Sequence, residues 1–192
     1  MIKGDAMLNI VMREQKNDYL SFDIKGGSIG LANLLRRFIL GKVKVFAIDR
    51  ITVYENTTHY FDEFIAHRLG LVPLKTPTKY KGDERVVFTL DVVGPKKVYS
   101  RDLKFNDPVV KPVYDNIPLF EIGENSSLRL EGIAVLGDGS RHAKFQAGTA
   151  HYNLDDDGTI HFYAETFHQL PVKTMVKLAI KEAEQALSLI HI

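Results

Sequence analysis

Any chemistry of this chain's own has to come from seven histidines, a run of three aspartates, one arginine pair and a glycine-rich turn, because there is no cysteine. The missing thiols exclude disulfides, thiolate catalysis, cysteine-ligated zinc and cysteine-held iron–sulfur clusters, so no cofactor is expected. His151, His161 and His168 stand near Asp155, Asp156 and Asp157. A metal needs several ligands converging on one point, and no tight histidine pair supplies that convergence locally; hairpin pairing would bring His151 near His161 and no more. Gly137-Asp138-Gly139, followed by Ser140, Arg141, His142 and Lys144, has the look of a phosphate cradle. The dinucleotide fingerprint requires a third glycine where His142 stands, and the Gly-Lys-Ser/Thr ending of a triphosphate loop is absent, so a β-turn with a basic rim leading into an extended segment is expected. Ser28, Ser100, Ser126, Ser127, Ser140 and Ser188 lack the context of a nucleophile elbow. His67 is expected to make a structural hydrogen bond. Arg36-Arg37 is different: two planar forks side by side can grip a carboxylate or backbone carbonyls of a partner, the plain alternative being a solvated helix face.

The elements that position these groups follow from the apolar spacing. Ser28, after Gly26-Gly27, is a good N-cap, and Leu31, Leu34, Leu35, Phe38 and Ile39 recur at the interval of one helical face while Asn33, Arg36 and Arg37 fall largely off it. A helix is therefore predicted from about Ile29, stopping at Gly41. Val43 to Tyr54 is rich in β-branched and aromatic residues and reads as a strand. A second helix over Tyr60 to Leu69 places Phe61, Phe64, Ile65 and Leu69 on one face, with Asp62 and Glu63 at its positive end and Gly70 as a left-handed terminator. Leu8 to Met12 and Tyr19 to Ile24 read as paired strands, as do Ala150 to Leu154 and Thr159 to Thr166, the latter pair joined through Asp157-Gly158. A last helix runs from Pro171 or Val172 through Leu187; Val172, Val176, Ala179, Ile180, Ala183 and Leu187 line one side, and Met175 and Leu178 widen it.

Between these ends, residues 47–146 have a different texture: β-rich runs at Val86 to Val93 and Leu128 to Leu136, a surface loop from Lys75 to Arg85, and an extended stretch from Asp107 to Pro118 without regular hydrogen bonding of its own. The simplest architecture is α+β. A discontinuous domain, 1–46 with 147–192, carries a small antiparallel sheet and two helices; 47–146 is an inserted, mostly β domain. With 45% hydrophobic and 26% charged residues the composition is that of a soluble globular protein, and no apolar run is long enough for a membrane span. The N-terminus lacks a signal-peptide apolar region, which predicts a cytoplasmic protein. A formal net charge of +1 gives no global attraction to nucleic acid.

The C-terminal helix is apolar over more than one stripe and ends in Leu189, Ile190 and Ile192. Either this excess is internal core or a partner covers it, since each large apolar side chain left in water forgoes about 1.5–3 kcal/mol.

Read as words, LANLLRRFIL, AIDRITVYENT, DEFIAHRLGLVPL, VYSRDL, GDGSRHAKFQ and FYAETFHQLPV resemble, in order and over nearly the whole chain, the family of the D-type subunit of archaeal DNA-directed RNA polymerase, related to the bacterial α N-terminal region and the third subunit of eukaryotic polymerase II. The resemblance implies a non-catalytic assembly platform. Its two helices would pair with those of a smaller α-like subunit, called L in archaea, through Leu31, Leu34, Leu35, Phe38, Val176, Ile180, Ala183 and Leu187. Asn33, Arg36, Arg37, His142 and Lys144 would lie toward the large subunits, the second-largest being docked together with a small zinc-bearing subunit. The ferredoxin-like domain that many archaeal relatives insert, some with iron–sulfur clusters, has no room between Gln146 and Phe162. The cysteine zinc loop of eukaryotic relatives is missing at Lys75 to Arg85, and no DNA-binding C-terminal domain is expected. Two other readings compete: a homodimeric scaffold unrelated to transcription, which would be a stable dimer alone, and a histidine-dependent hydrolase, whose activity would depend on His142.

Overall fold

A computed structural model describes residues 8–80 and 82–190, without the side chains of Leu189 and Ile190. In chain order these residues form β1 (Asn9–Gln15), β2 (Tyr19–Lys25), α1 (Ile29–Gly41), β3 (Val45–Asn56), α2 (Asp62–Gly70), β4 (Arg85–Val93), β5 (Lys96–Tyr99), β6 (Lys104–Phe105), β7 (Pro118–Ile122), β8 (Ser127–Gly137), β9 (Gly148–Leu154), β10 (Ile160–Thr166) and α3 (Val172–Ile190). The fold is α+β, and every strand pairing is antiparallel. The chain divides into two compact units, Met1–Lys44 with Asp138–Ile192, and Val45–Gly137. The turn at Asp138–Gln146 thus packs with the chain ends, whereas the sequence pattern assigns it to the inserted region. The Ser140 N–H and Oγ–H both donate to the Gly41 carbonyl at the end of α1, at 3.1 and 2.9 Å, which ties the turn there.

In the first unit a sheet of order β1-β2-β10-β9 buries one face under α1 and α3. Alternation decides which face: Leu20, Phe22 and Ile24 on β2 and Ile160, Phe162 and Ala164 on β10 are all buried, and the Phe22 and Phe162 rings stack at 5.1 Å. Ala32 and Ile39 of α1, and Met175 and Ala179 of α3, close that core. Ser28 caps α1 as predicted, its Oγ accepting the Leu31 N–H at 3.2 Å. The helix ends at Gly41 as predicted, and the cap falls on Lys42, whose N–H reaches the Phe38 carbonyl at 2.9 Å. Between β9 and β10, Gly158 takes φ +83°, the left-handed turn position that a side chain would strain.

In the second unit a sheet of order β3-β8-β4-β6 packs with α2 and the small β5-β7 sheet around Phe46, Ile65, Leu69, Phe88, Leu90, Leu128 and Leu130, all essentially inaccessible. Four sequence expectations change here. Helix α2 runs through Gly70 to an α-region cap at Leu71, so Gly70 does not take the left-handed position. Only Ile65 and Leu69 of its predicted apolar face are buried, whereas Phe61 and Phe64 are exposed. The proline-rich stretch after Asp107 is pinned rather than free: an antiparallel bridge joins Leu74 to Pro112, with Lys75 N–H to the Lys111 carbonyl at 2.8 Å and Val113 N–H to the Pro73 carbonyl at 2.9 Å. The Lys75 to Arg85 loop is also partly interior. Its Thr76 is buried, accepting the Phe46 N–H at 2.9 Å, and Tyr80 packs edge-on to the Phe46 ring at 5.3 Å.

Candidate functional site

Each of the two helices of the first unit keeps large apolar side chains exposed among the described residues. Leu31 on α1 and Ile180 and Leu187 on α3 are exposed, at 40%, 42% and 45%, and Ile29 adds to them at 51%. Ile180 and Leu187 are seven residues apart, two turns along one stripe of α3. Leu34, Leu35 and Phe38 are half-buried, so they serve the core and still present part of their surface. Val176 and Ala183 sit inward, at 6% and 8%, and belong to the unit's own core. The Leu189 and Ile190 side chains, and Ile192, lie outside the described residues.

Asn33 and Arg36 form one small device on α1: the Asn33 Oδ1 accepts from Arg36 Nε at 3.3 Å and from Nη2 at 3.0 Å, as residues three apart on a helix allow. This bond fixes the guanidinium plane while Arg37 stays exposed beside it. His142 and Lys144 lie apart in sequence but in the same unit, on the turn that closes the end of α1. Asp138 Oδ1 accepts the Ser140 N–H at 3.1 Å, the Arg141 N–H returns to the Asp138 carbonyl at 3.0 Å, and the His142 Nδ1 accepts the Lys144 N–H at 3.1 Å. The segment after His142 is a short 3₁₀ turn, Ala143–Phe145, and not the extended run expected. Arg141 and Lys144 both sit 5.1 Å from the centroid of the buried Phe145 ring, so the basic rim is real and rests on an aromatic floor. A Cβ on Gly139 would lie 2.1 Å from the Leu40 carbonyl oxygen, which is why glycine is required for the turn to approach the helix end.

On the sheet face away from the helices lies an ionic chain that the sequence pattern does not reveal. The His161 Nδ1 lies 2.6 Å from Asp23 Oδ1 and its Nε2 lies 2.6 Å from Asp155 Oδ2; Arg13 Nε lies 2.6 Å from the same Asp23 oxygen. A ring nitrogen can bond a carboxylate only by donating, so both nitrogens carry protons and the ring is an imidazolium. The hydrogen bonds His161 donates to Asp155 and then Asp23 accordingly raise its pKa above the ordinary value, and the bond Arg13 donates holds the Asp23 carboxyl below the usual range. Three strands and the β9–β10 turn meet in this cluster, with Arg13 delivered by a bulge between Met12 and Glu14. Register explains the neighbours: His161 pairs with Asn153, and His151 pairs with Tyr163, stacking on its ring at 4.8 Å, so the two histidines are not brought together. Among the described residues no group of three or more His, Asp or Glu is arranged to hold a metal ion. His67 is exposed and makes no side-chain hydrogen bond among the described residues, contrary to the expected structural bond. No helix among the described residues is long and apolar enough to cross a membrane.

The sequence is similar to proteins of known kind. A family model described as the RNA polymerase Rpb3/RpoA insert domain matches residues 50–161, more than half the chain. The chain is 43% identical to DNA-directed RNA polymerase subunit Rpo3 of Pyrococcus furiosus over 77% of its own length and 59% of that protein's. It is 42% identical to the Pyrococcus horikoshii protein of the same name, over 76% and 59%. With the Methanocaldococcus jannaschii protein of that name it shares 37% identity over 80% of its own length and 78% of the relative's. The chain therefore spans about three-fifths of the length of the Pyrococcus relatives it matches.

Proposed function

The chain belongs to the RNA polymerase Rpb3/RpoA insert-domain family, and from that premise we propose that it is a non-catalytic assembly subunit of a cytoplasmic, archaeal DNA-directed RNA polymerase. In this reading α1 and α3 pair with the helices of an L-type subunit, and the pair docks the second-largest subunit and a small zinc-bearing one. The observation that carries it is the apolar stripe of Leu31, Ile180 and Leu187, left open on two helices whose other faces are already committed to the sheet. Covering these side chains against a matching apolar surface gives the hydrophobic gain that obligate interfaces rest on. Arg36, oriented by Asn33, and the basic turn at Arg141 to Lys144 supply charged contacts that help select a partner. The polymerase chemistry would lie on other subunits; three of the histidines here have structural roles, in the ionic chain of His161, the cap at His142 and the stack at His151.

Size-exclusion chromatography with light scattering, on the chain alone and co-expressed with an L-type subunit, tests this. A one-to-one heterodimer that replaces self-association is the expected result. A well-behaved homodimer indifferent to the L-type subunit would favour the scaffold reading instead.

A further inference from the structure

We propose that the second unit carries a docking groove for a polypeptide segment that presents lysine or arginine side chains around an apolar residue. The inference rests on the surface of that unit alone and does not depend on pairing through α1 and α3. The end of β3 and the start of α2 enclose a shallow groove of about 480 Å³. Two departures from ordinary local structure point aromatic rings at it. On β3 the pairing to β8 slips between Val53 and Glu55, so Tyr54 is the unpaired residue of a bulge; its side chain is turned outward and is 59% exposed. At the start of α2 the N-cap position, where serine, threonine, aspartate or asparagine would bond the first turn, is held by Phe61, which makes no cap and is 79% exposed, the most exposed large apolar residue described. Phe64 continues the apolar surface, stacked at 5.0 Å on Tyr60, which in turn packs on Phe120 of the core.

The charge that lines the groove is of one sign, with Lys104 and Arg129 lining a separate hollow on the other side of Tyr54. Glu55, Asp62 and Glu63 line the groove, and no lysine or arginine does. Their partners are neutral: Asp62 accepts from the Asn56 amide at 2.7 Å, and Glu55 accepts from the Ser127 hydroxyl. None forms an ion pair among the described residues, and Arg68 of α2 is directed elsewhere, onto the Leu119 and Pro118 carbonyls. Arg129 stands opposite Glu55 in the β3–β8 register without forming an ion pair with it, and Asp62 and Glu63 face no cation in the groove. These carboxylates around exposed rings are complementary to cations flanking an apolar anchor, and they oppose an acidic segment of the same hydrophobicity.

The test is fluorescence anisotropy of two labelled peptides of equal length, one of lysine–leucine repeats and one of glutamate–leucine repeats, against the full chain. The expected result is binding of the lysine peptide alone, weakening as salt rises. Phe61→Ser should weaken it about tenfold or more, and Glu63→Gln with Glu55→Gln about fivefold. The glutamine pair leaves the apolar surface intact, so it decides the matter even if the serine variant is less stable. Equal binding of both peptides, no binding, or indifference to these substitutions would overturn the proposal. So would a concentration-dependent dimer in light scattering that Phe61→Ser dissolves, because the occupant would then be a second copy.

Discussion

Replacing Ile180 by aspartate separates pairing from folding. In the free chain this side chain is 42% exposed, so a carboxylate there remains in water and the helix loses little; an exposed substitution of this kind changes stability by no more than about 0.5 kcal/mol. In the proposed pairing the same position would be covered. The exposed two-fifths of an isoleucine, whose full burial is worth about 1.5–3 kcal/mol, contributes about 1 kcal/mol to association, and an unpaired carboxylate forced into the interface adds a cost of roughly 3 kcal/mol. Together these predict a loss of about 4 kcal/mol in pairing, close to a thousandfold in Kd. Val176→Asp is the contrasting variant: at 6% exposure it lies in the unit's own core, so it should destabilise the fold itself before any partner is added. The assay is titration of a labelled L-type subunit with each purified chain, beside a thermal melt of each chain alone. If Ile180→Asp melts normally and pairs as tightly as the unmodified protein, the helix stripe is not the interface. Leu35→Asp should also abolish pairing, but Leu35 is half-buried and its effect will be divided between fold and interface.

Replacing Arg36 and Arg37 together by alanine should leave the heterodimer intact and weaken recruitment of the second-largest subunit in a pull-down; loss at the first step would place the arginines in the dimer interface instead. The ionic chain predicts a pH effect whose sign is set by the raised His161 pKa: its contribution is complete below the ordinary histidine value of about 6.5 and is lost as pH rises through the higher folded value. Asp23, held below the usual range, contributes above about 3.9 and is lost as pH falls through its lowered value. Urea unfolding of the unmodified protein and of His161→Gln across this span should show their stability difference shrinking on the alkaline side, and a constant difference would refute the imidazolium assignment.

How much of this was legible before folding depends on the distance over which the cause acts. The α1 cap at Ser28, the β9–β10 turn at Gly158 and the alternation of β4 are set by residues within a few positions, and the sequence shows them directly. The bonding of Thr76 to Phe46 spans thirty residues, and the bridge from Leu74 to Pro112 was hidden by prolines that argue against pairing when taken alone. The exposed face of α2 departs from the expectation for a related reason: Phe61, Phe64, Ile65 and Leu69 have helical spacing, but only the last two are buried in the core. Arg13, Asp23, His161 and Asp155 illustrate the same limit for a site. The histidine and aspartate run were visible as candidates, but which carboxylates they meet follows from antiparallel register and a single bulged residue.

The two exposed surfaces differ in the force that would close them, and this has a consequence for assembly. The stripe on α1 and α3 is apolar and its gain comes from excluding water, which salt does not screen. The groove at Tyr54 and Phe61 has three carboxylates at its margin, so a segment seated there gains part of its attraction from charge, and that part falls as ionic strength rises. Raising salt should therefore remove a basic segment from the second unit while the first unit keeps its helical partner. That order of release is opposite to the one expected if the same apolar effect held both.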